Sequence, residues 1–188
     1  MLEKEIKHSP SMPAKPQKGL VQIYTGDGKG KTTAAIGNII RALGHDMKVY
    51  VAVFIKGTSP SGEWDFLAKL PNVKIERFGA EKFIDPKNIK PEEKEQARLA
   101  LNAARKAVTG GDFDLVVLDE INIAVAWRLI ERDEVLKLIE DKPPRLELIL
   151  TGRYADSELV KKADLVTEML KIKHPFDAGI PAHQGIEF

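Results

Sequence analysis

A glycine-rich loop between a predicted strand and a predicted helix constrains the fold of this chain more than any other feature. Leu20–Thr25 is an apolar, β-rich run, residues 26–33 read Gly-Asp-Gly-Lys-Gly-Lys-Thr-Thr, and a helical pattern over Lys31–Leu43 ends at Gly44. Glycines let the backbone curl and turn its N–H groups toward an anion, and the helix N-terminus adds its positive dipole end. This order of elements predicts a phosphate-binding loop on a parallel sheet, although a glycine-rich turn that binds nothing is the alternative.

The residues of this loop are expected to bind a nucleotide. Lys31 can reach the outer phosphates, and the hydroxyl of Thr32 can bind Mg²⁺. The usual pattern has a glycine six residues before the lysine, where this chain has Thr25, so the loop is a variant. The predicted nucleotide-binding residues of the loop are Gly26, Asp27, Gly28, Lys29, Gly30, Lys31, Thr32 and Thr33.

Apolar runs and helical patterns alternate along the rest of the chain, which is typical of an α/β sheet with right-handed crossovers. Further strands are predicted at Lys48–Ile55, Val73–Phe78, Leu115–Asp119, Leu146–Thr151 and Leu165–Leu170. Further helices are predicted at Pro91–Val108, Ile121–Ile130, Asp133–Glu140 and Asp156–Lys162. Several strands are nearly continuous apolar runs, as expected when both faces of a parallel sheet are covered. We therefore predict a P-loop NTPase-like three-layer sandwich with a mostly parallel central sheet of about six strands.

The length of 188 residues suits one domain, which we place at residues 19–188. Residues 1–18 contain three prolines among lysines and are predicted to be a flexible N-terminal arm. The arm is either a solvated tail or a segment that becomes ordered over a ligand. Residues 56–62 and 174–188 are predicted to be loops at the edge of the sheet.

Composition excludes several classes of function. The net charge is +1 and aromatic residues are 6% of the chain, which argues against nucleic-acid binding. No apolar run reaches the roughly 20 residues of a membrane span, so no membrane partner is expected. The chain has no cysteine, which excludes disulfides and thiol catalysis and suits a cytoplasmic location.

An acidic pair follows the predicted strand Leu115–Asp119. Because ligands of open α/β sheets lie at the carboxyl ends of the strands, Asp119 and Glu120 are expected to face the phosphate loop. With Thr32 they form the predicted site for Mg²⁺ or Mn²⁺. The alternatives are that the pair caps the next helix, or that Glu120 is a base that polarises water for hydrolysis. The loop and the pair indicate a nucleotide, and they leave the reaction open.

The stretch Tyr24–Ala35 resembles the P-loop type of corrinoid adenosyltransferase, a family of vitamin B12 biosynthesis and salvage. The resemblance continues in the same order across roughly residues 19–188. The matching segments are Arg41–His45, Val53–Gly57, Gly62-Glu63, Val117–Ile121, Leu150–Arg153, Ala163–Met169, Lys173–Phe176 and Gly185–Glu187. Together these segments are a sharper pattern than the loop alone.

The resemblance implies adenosyl transfer instead of phosphoryl transfer. In this family the Co(I) centre of a reduced corrinoid attacks the 5′ carbon of ATP, and the whole triphosphate leaves. ATP is then a co-substrate, the corrinoid is the substrate, and Lys31 and Glu120 are the residues we assign to catalysis. The resemblance further implies an electron-donating reductase or flavoprotein as partner, and a homodimer.

Other site residues are carried over only by resemblance. Arg41 and Arg153 match arginines that contact the nucleotide in the family. Phe83 matches a phenylalanine that helps to displace the lower cobalt ligand, but the tryptophan that usually follows it is missing here. Trp64 and His174 are further candidates for facing the corrinoid, and packing in the core or a structural hydrogen bond are the alternatives.

Two other functions compete with adenosyl transfer at this stage. One is an ATPase of the recombinase–helicase kind, which would use Glu120 as base and a nucleic acid as partner. That class calls for a basic stripe or an aromatic stacking platform, which the composition does not favour. The other is a regulator that binds ATP without a reaction.

Overall fold

A computed structural model describes residues 18–55, 57, 61–79 and 84–186. Residues 1–17 of the predicted N-terminal arm, and residues 80–83, which include Phe83, lie outside these residues. The described chain contains a six-stranded, all-parallel sheet with the strand order β3-β2-β4-β5-β1-β6. The strands are β1 (Val21–Thr25), β2 (Val49–Val53), β3 (Val73–Arg77), β4 (Leu115–Asp119), β5 (Glu147–Thr151) and β6 (Leu165–Glu168).

Helices cover both faces of this sheet. They are α1 (Lys31–Leu43), α2 (Gly62–Leu67), α3 (Pro91–Thr109), α4 (Ile121–Ala126), α5 (Arg132–Glu140) and α6 (Ser157–Lys162), with a short 3₁₀ helix at Pro175–Ala178. One buried apolar cluster joins the sheet to α3, α4, α5 and α6, and a second joins it to α1 and α2. The predicted α/β fold with helices on both sides of a parallel sheet is therefore confirmed.

The amphipathic pattern of α1 explains its place. Ala35, Ile39 and Ala42 recur at a spacing of three to four residues and are buried, so they form the stripe that faces the sheet. The helix ends at Leu43 as predicted. Gly44 keeps a right-handed conformation there, and the left-handed residue that turns the chain is Asp46.

Three local expectations differ from the structure. Residues 56–62 were expected to be loop, with no element predicted from there to Val73, whereas Gly62 begins α2, whose Trp64 and Leu67 are buried. The helix predicted at Ile121–Ile130 ends at Ala126, because Arg128 takes a left-handed conformation. The strand predicted at Leu165–Leu170 ends at Glu168, and all four residues of β6 are exposed, since it lies at the edge of the sheet with β1 as its strand neighbour.

The strand order brings three loops to one place. β5 lies between β4 and β1, with Leu118 paired to Leu150 and Tyr24 paired to Thr151. The parallel register therefore ends β1, β4 and β5 at the same edge of the sheet. The phosphate loop, the acidic pair and the Thr-Gly-Arg segment follow these strands, so they meet as the carboxyl-edge rule predicts.

The two aromatic residues of α2 give a test of the core. Trp64 is buried in the α1–α2 cluster, whereas Phe66 on the same helix is 61% exposed. We expect Trp64→Ala to lower the free energy of unfolding by about 3–5 kcal/mol, because it leaves a cavity. Phe66→Ala, the matched control, should change it by about 0.5 kcal/mol or less. Urea denaturation measures both, and equal effects would contradict the assignment of Trp64 to the core.

Candidate active site

The phosphate loop wraps around the ammonium group of its own lysine. Lys31 Nζ donates hydrogen bonds to the carbonyl oxygens of Gly26 and Gly28, each at 2.7 Å. The loop turns back on itself with positive φ angles at Gly26 and Gly30, and α1 begins directly after it. The positive charge of Lys31 is thus held at the N-terminus of a helix of 13 residues, where an anion is most stabilised.

The segment after β6 supports this loop from outside. Gly28 N–H donates to Met169 O at 2.7 Å, and Met169 N–H donates to Thr25 O at 2.9 Å. A Cβ atom added to Gly28 would lie 2.6 Å from Leu170 O, so this position of the loop must be glycine. The shape of the phosphate loop therefore depends on the path of residues 169–170 beside it.

The acidic pair is joined to the loop by a buried network of hydroxyl groups. Thr32 Oγ1 donates to Asp119 Oδ1 at 2.9 Å, and Thr151 Oγ1 donates to the same oxygen at 2.6 Å. Thr151 Oγ1 also accepts a hydrogen bond from Glu120 N–H at 3.0 Å. Asp119 is 1% exposed and Thr151 is fully buried. The two residues proposed from sequence to share a metal ion, Thr32 and Asp119, are therefore in direct contact.

Glu120 is held in a left-handed backbone conformation, with φ 63°, at the start of α4. Such a conformation is uncommon for a residue with a side chain and costs free energy that the surroundings must offset. Gly152 lies against it: a Cβ atom added there would be 3.2 Å from Glu120 Oε2 and 3.1 Å from Ile123 N. The half-buried Glu120 side chain therefore passes close to the turn after β5.

The arrangement suits a hard divalent cation. Hydroxyl and carboxylate oxygens are the ligands that Mg²⁺ prefers, and Mg²⁺ is usually held by one or two protein groups together with substrate phosphates. Within the described residues, no group of three or more carboxylate or histidine side chains forms a cage for a metal. A site made by Thr32, Asp119 or Glu120 and a phosphate fits this chemistry.

The remaining loop residues lie at the surface of the site. Arg153 Nε is 3.8 Å from Asp27 Oδ1, and both side chains are about half exposed. An exposed pair at this distance contributes little, so the guanidinium group can turn to a phosphate at small cost. Lys29 Nζ donates to Ile186 O at 3.1 Å, which brings the C-terminal residues over the loop, and Thr33 is exposed in the first turn of α1.

Arg41 lies away from the phosphate loop. It is exposed in the last turn of α1, ten residues after Lys31, which corresponds to about 15 Å along the helix axis. Of the two aromatic candidates, Trp64 is in the core and Phe83 lies outside the described residues. His174 Nδ1 accepts a hydrogen bond from Phe176 N–H at 3.2 Å, which is the structural role considered as its alternative.

Comparison with known proteins shows the family of this chain. Residues 17–188 match the family model for the ATP:corrinoid adenosyltransferases BtuR/CobO/CobP. The chain belongs to that family. A corrinoid adenosyltransferase of Pseudomonas aeruginosa is 38% identical over 175 residues, which are 93% of this chain and 86% of that protein. One from Sinorhizobium sp is 39% identical (92% of this chain, 81% of the relative), and one from Escherichia coli K12 is 35% identical (93% and 88%).

The geometry of the structure identifies residues that the sequence alone did not indicate. The Thr-Gly-Arg segment was noted for Arg153, but the structure places Thr151 and Gly152 in closer contact with the acidic pair. Met169 and Leu170 were predicted to end the last strand, but β6 ends at Glu168 and these two residues lie against the phosphate loop. The sequence signal that could have indicated Thr151 and Gly152 is their position at the end of a buried strand, where ligands bind in this type of fold. Across the described part of the chain, no helix is both long and apolar enough to cross a membrane.

Gly152 gives a test of how the acidic pair is placed. Its φ is 124°, and a methyl group there would press on Glu120 and on the first turn of α4. We expect Gly152→Ala to weaken MgATP binding by about 10-fold or more, because the Glu120 carboxylate would be displaced from the metal site.

Gly111→Ala is the matched control for this substitution. Gly111 also has a positive φ, of 79°, but a Cβ atom there would meet nothing within 4 Å. Calorimetric titration of each variant with MgATP separates backbone strain from contact with Glu120. Equal losses in the two variants would remove Gly152 from the site.

Proposed function

We propose that this chain transfers the 5′-deoxyadenosyl group of ATP to the Co(I) centre of a corrinoid and releases triphosphate, in the biosynthesis or salvage of vitamin B12. The observation that carries the proposal is the contact of Thr32 in the phosphate loop with Asp119 of the acidic pair, in a chain that belongs to the corrinoid adenosyltransferase family. A loop and a carboxylate joined in this way can hold all three phosphates of ATP, as departure of a whole triphosphate requires.

Neutralising charge is the main task in this reaction. A triphosphate is a poor leaving group until donors and cations reduce the charge that develops on it. Lys31 and the N–H groups of the loop, apart from that of Gly28, which bonds to Met169 O, would supply fixed positive charge and dipoles. Thr32, Asp119 and Glu120 would hold Mg²⁺ or Mn²⁺, and a bound ion would add Lewis-acid stabilisation of the phosphate oxygens without transferring a proton.

The nucleophile in this proposal belongs to the substrate. The electron pair of Co(I) forms the cobalt–carbon bond, the bond between C5′ and the bridging oxygen breaks, and the triphosphate takes the bonding electrons. Cobalt is formally oxidised from Co(I) to Co(III), so the step needs no protein nucleophile and no general base. Glu120 then serves as a metal ligand, and the chain's part is to align ATP with the cobalt and to exclude water.

The competing hypothesis, ATP hydrolysis, has no support from the family of the chain. An ATPase of the recombinase–helicase kind would need Glu120 to orient a water molecule toward the γ-phosphate. Glu120 N–H is held by Thr151 and its carboxylate lies beside Gly152, a placement that serves a metal ligand as well as a base. The family relationship therefore decides in favour of adenosyl transfer.

Several finer assignments stay predictions. They are the electron-donating reductase or flavoprotein, the homodimer, the cytoplasmic location, and the single domain at residues 19–188 with its N-terminal arm. The nucleotide contacts of Arg41 and Arg153 and the corrinoid contact of Phe83 are predictions of the same kind. Arg153 has support from its position beside the phosphate loop, at 3.8 Å from Asp27.

Lys31→Ala tests the phosphate site. Hydrogen bonds to charged groups contribute about 1.5–3 kcal/mol each, so we expect MgATP affinity to fall roughly 10- to 100-fold or more. Lys137→Ala on α5, an exposed lysine paired with Asp141, is the control and should bind as the unmodified protein does. A folded Lys31→Ala variant with unchanged affinity in calorimetry would exclude Lys31 from the site.

The products of the reaction test the proposed function itself. Incubation with ATP, Mg²⁺ and cob(I)alamin should yield intact triphosphate by phosphorus NMR and a visible spectrum of adenosylcobalamin. Attack at the terminal phosphorus would instead release ADP and orthophosphate. Accumulation of ADP and orthophosphate with an unchanged corrinoid spectrum would overturn adenosyl transfer and make Glu120 the leading hydrolytic base.

A further inference from the structure

We infer that Thr151 is a positioning residue, which orients Asp119 and Glu120 and so sets the geometry of the proposed metal site. This inference rests on the proposed function only in taking MgATP as the nucleotide bound here. Thr151 is not expected to touch ATP or the metal. Its hydroxyl group lies between the two acidic residues and makes one hydrogen bond to each of them.

The direction of these hydrogen bonds fixes both partners. The Thr151 hydroxyl has a single proton, which it donates to Asp119 Oδ1 at 2.6 Å, so its oxygen is left to accept from Glu120 N–H at 3.0 Å. The first bond selects the rotamer of the carboxylate. The second holds the peptide of Glu120 in the left-handed conformation from which its side chain leaves the strand. One hydroxyl group therefore orients two potential metal ligands.

Because these residues are buried, the position of Asp119 depends strongly on the Thr151 hydroxyl. Thr151 is fully buried and Asp119 is 1% exposed, so water is poorly placed to replace a lost hydroxyl. A buried polar group that loses its partner pays its desolvation cost in full. Removing the hydroxyl would take one of two threonine donors from Asp119 Oδ1, leaving the bond from Thr32. Thr32 is itself a proposed metal ligand, so a shift of Asp119 would move Thr32 as well.

The topology explains why a residue of β5 has this role. β5 separates β4, which carries Asp119, from β1, which leads into the phosphate loop. Thr151 is the last residue of β5 and pairs with Tyr24 of β1, while Gly152 N–H donates to Tyr24 O at 3.1 Å. Thr151 thus connects to the acidic pair through its hydroxyl and to the strand that precedes the loop through its backbone pairing.

The test compares nucleotide affinity with and without metal. Thr151→Val keeps the size and β-branching of the side chain and removes the hydroxyl. Substitution of groups that orient metal ligands typically costs about 10- to 100-fold in metal affinity or activity. We therefore expect calorimetry to show MgATP affinity reduced by roughly that factor, whereas ATP affinity in excess EDTA stays within about 3-fold of the unmodified protein.

Matched variants separate positioning from a structural role. Thr151→Ser restores the hydroxyl and should recover most of the MgATP affinity. Thr109→Val, at the end of α3, removes a threonine hydroxyl that bonds only to a helix carbonyl and should change neither affinity. Thr151→Ala replaces the valine variant if circular dichroism shows that the latter is unfolded.

Two results would overturn the inference. One is a folded Thr151→Val or Thr151→Ala variant that binds MgATP normally. The other is an equal loss of affinity with and without metal, which is the mark of a structural role. Neither measurement involves a corrinoid, so failure of adenosyl transfer and failure of this positioning role are distinguishable.

Discussion

Burying the carboxylate of Asp119 at the end of a central strand is costly unless hydrogen-bond donors are already in place, and the rest of the site is built around those donors. Thr32 supplies one donor from the phosphate loop, and Thr151 supplies another from the neighbouring strand. The two threonines therefore bond to the same carboxylate oxygen from two different elements, Thr32 from α1 and Thr151 from β5. This shared acceptor makes the position of the loop depend on the position of the acidic pair, before any nucleotide is considered.

Much of the fold could be predicted because its signals are local. The glycine-rich loop between a strand and a helix, and the apolar run Leu115–Asp119, each depend on neighbours in sequence. The strand ends were all predicted to within two residues, with the largest differences at the C-terminal ends of β2 and β6, which stop two residues before the predicted ends. α2 was not predicted, because its six residues follow a Ser-Pro-Ser segment that is typical of a loop. Two buried side chains, Trp64 and Leu67, stabilise it as a helix. That stabilisation comes from tertiary packing, which local propensity does not record.

The site could be predicted only in part, for a related reason. Lys31, Thr32, Asp119 and Glu120 stand out because their types and spacing fit phosphate and metal chemistry. Thr151 carries no such signal: a threonine in a strand is ordinary, and its role appears only when β5 is placed between β4 and β1. The exposure of β6 likewise follows from the order of the strands, and the distance of Arg41 from the loop follows from the length of α1. Neither can be seen when each segment of the sequence is interpreted separately.

The support of the phosphate loop by residues 169–170 has a consequence for its local stability. β6 is the most exposed strand of the sheet, with a single strand neighbour, so it belongs to the part of the fold expected to open at the smallest free-energy cost. Yet the amide hydrogen of Gly28 is bonded to Met169 O. Its exchange with solvent therefore reports opening of the C-terminal edge as well as motion of the loop. A nucleotide that holds the loop in this shape would therefore also oppose opening of this edge of the sheet.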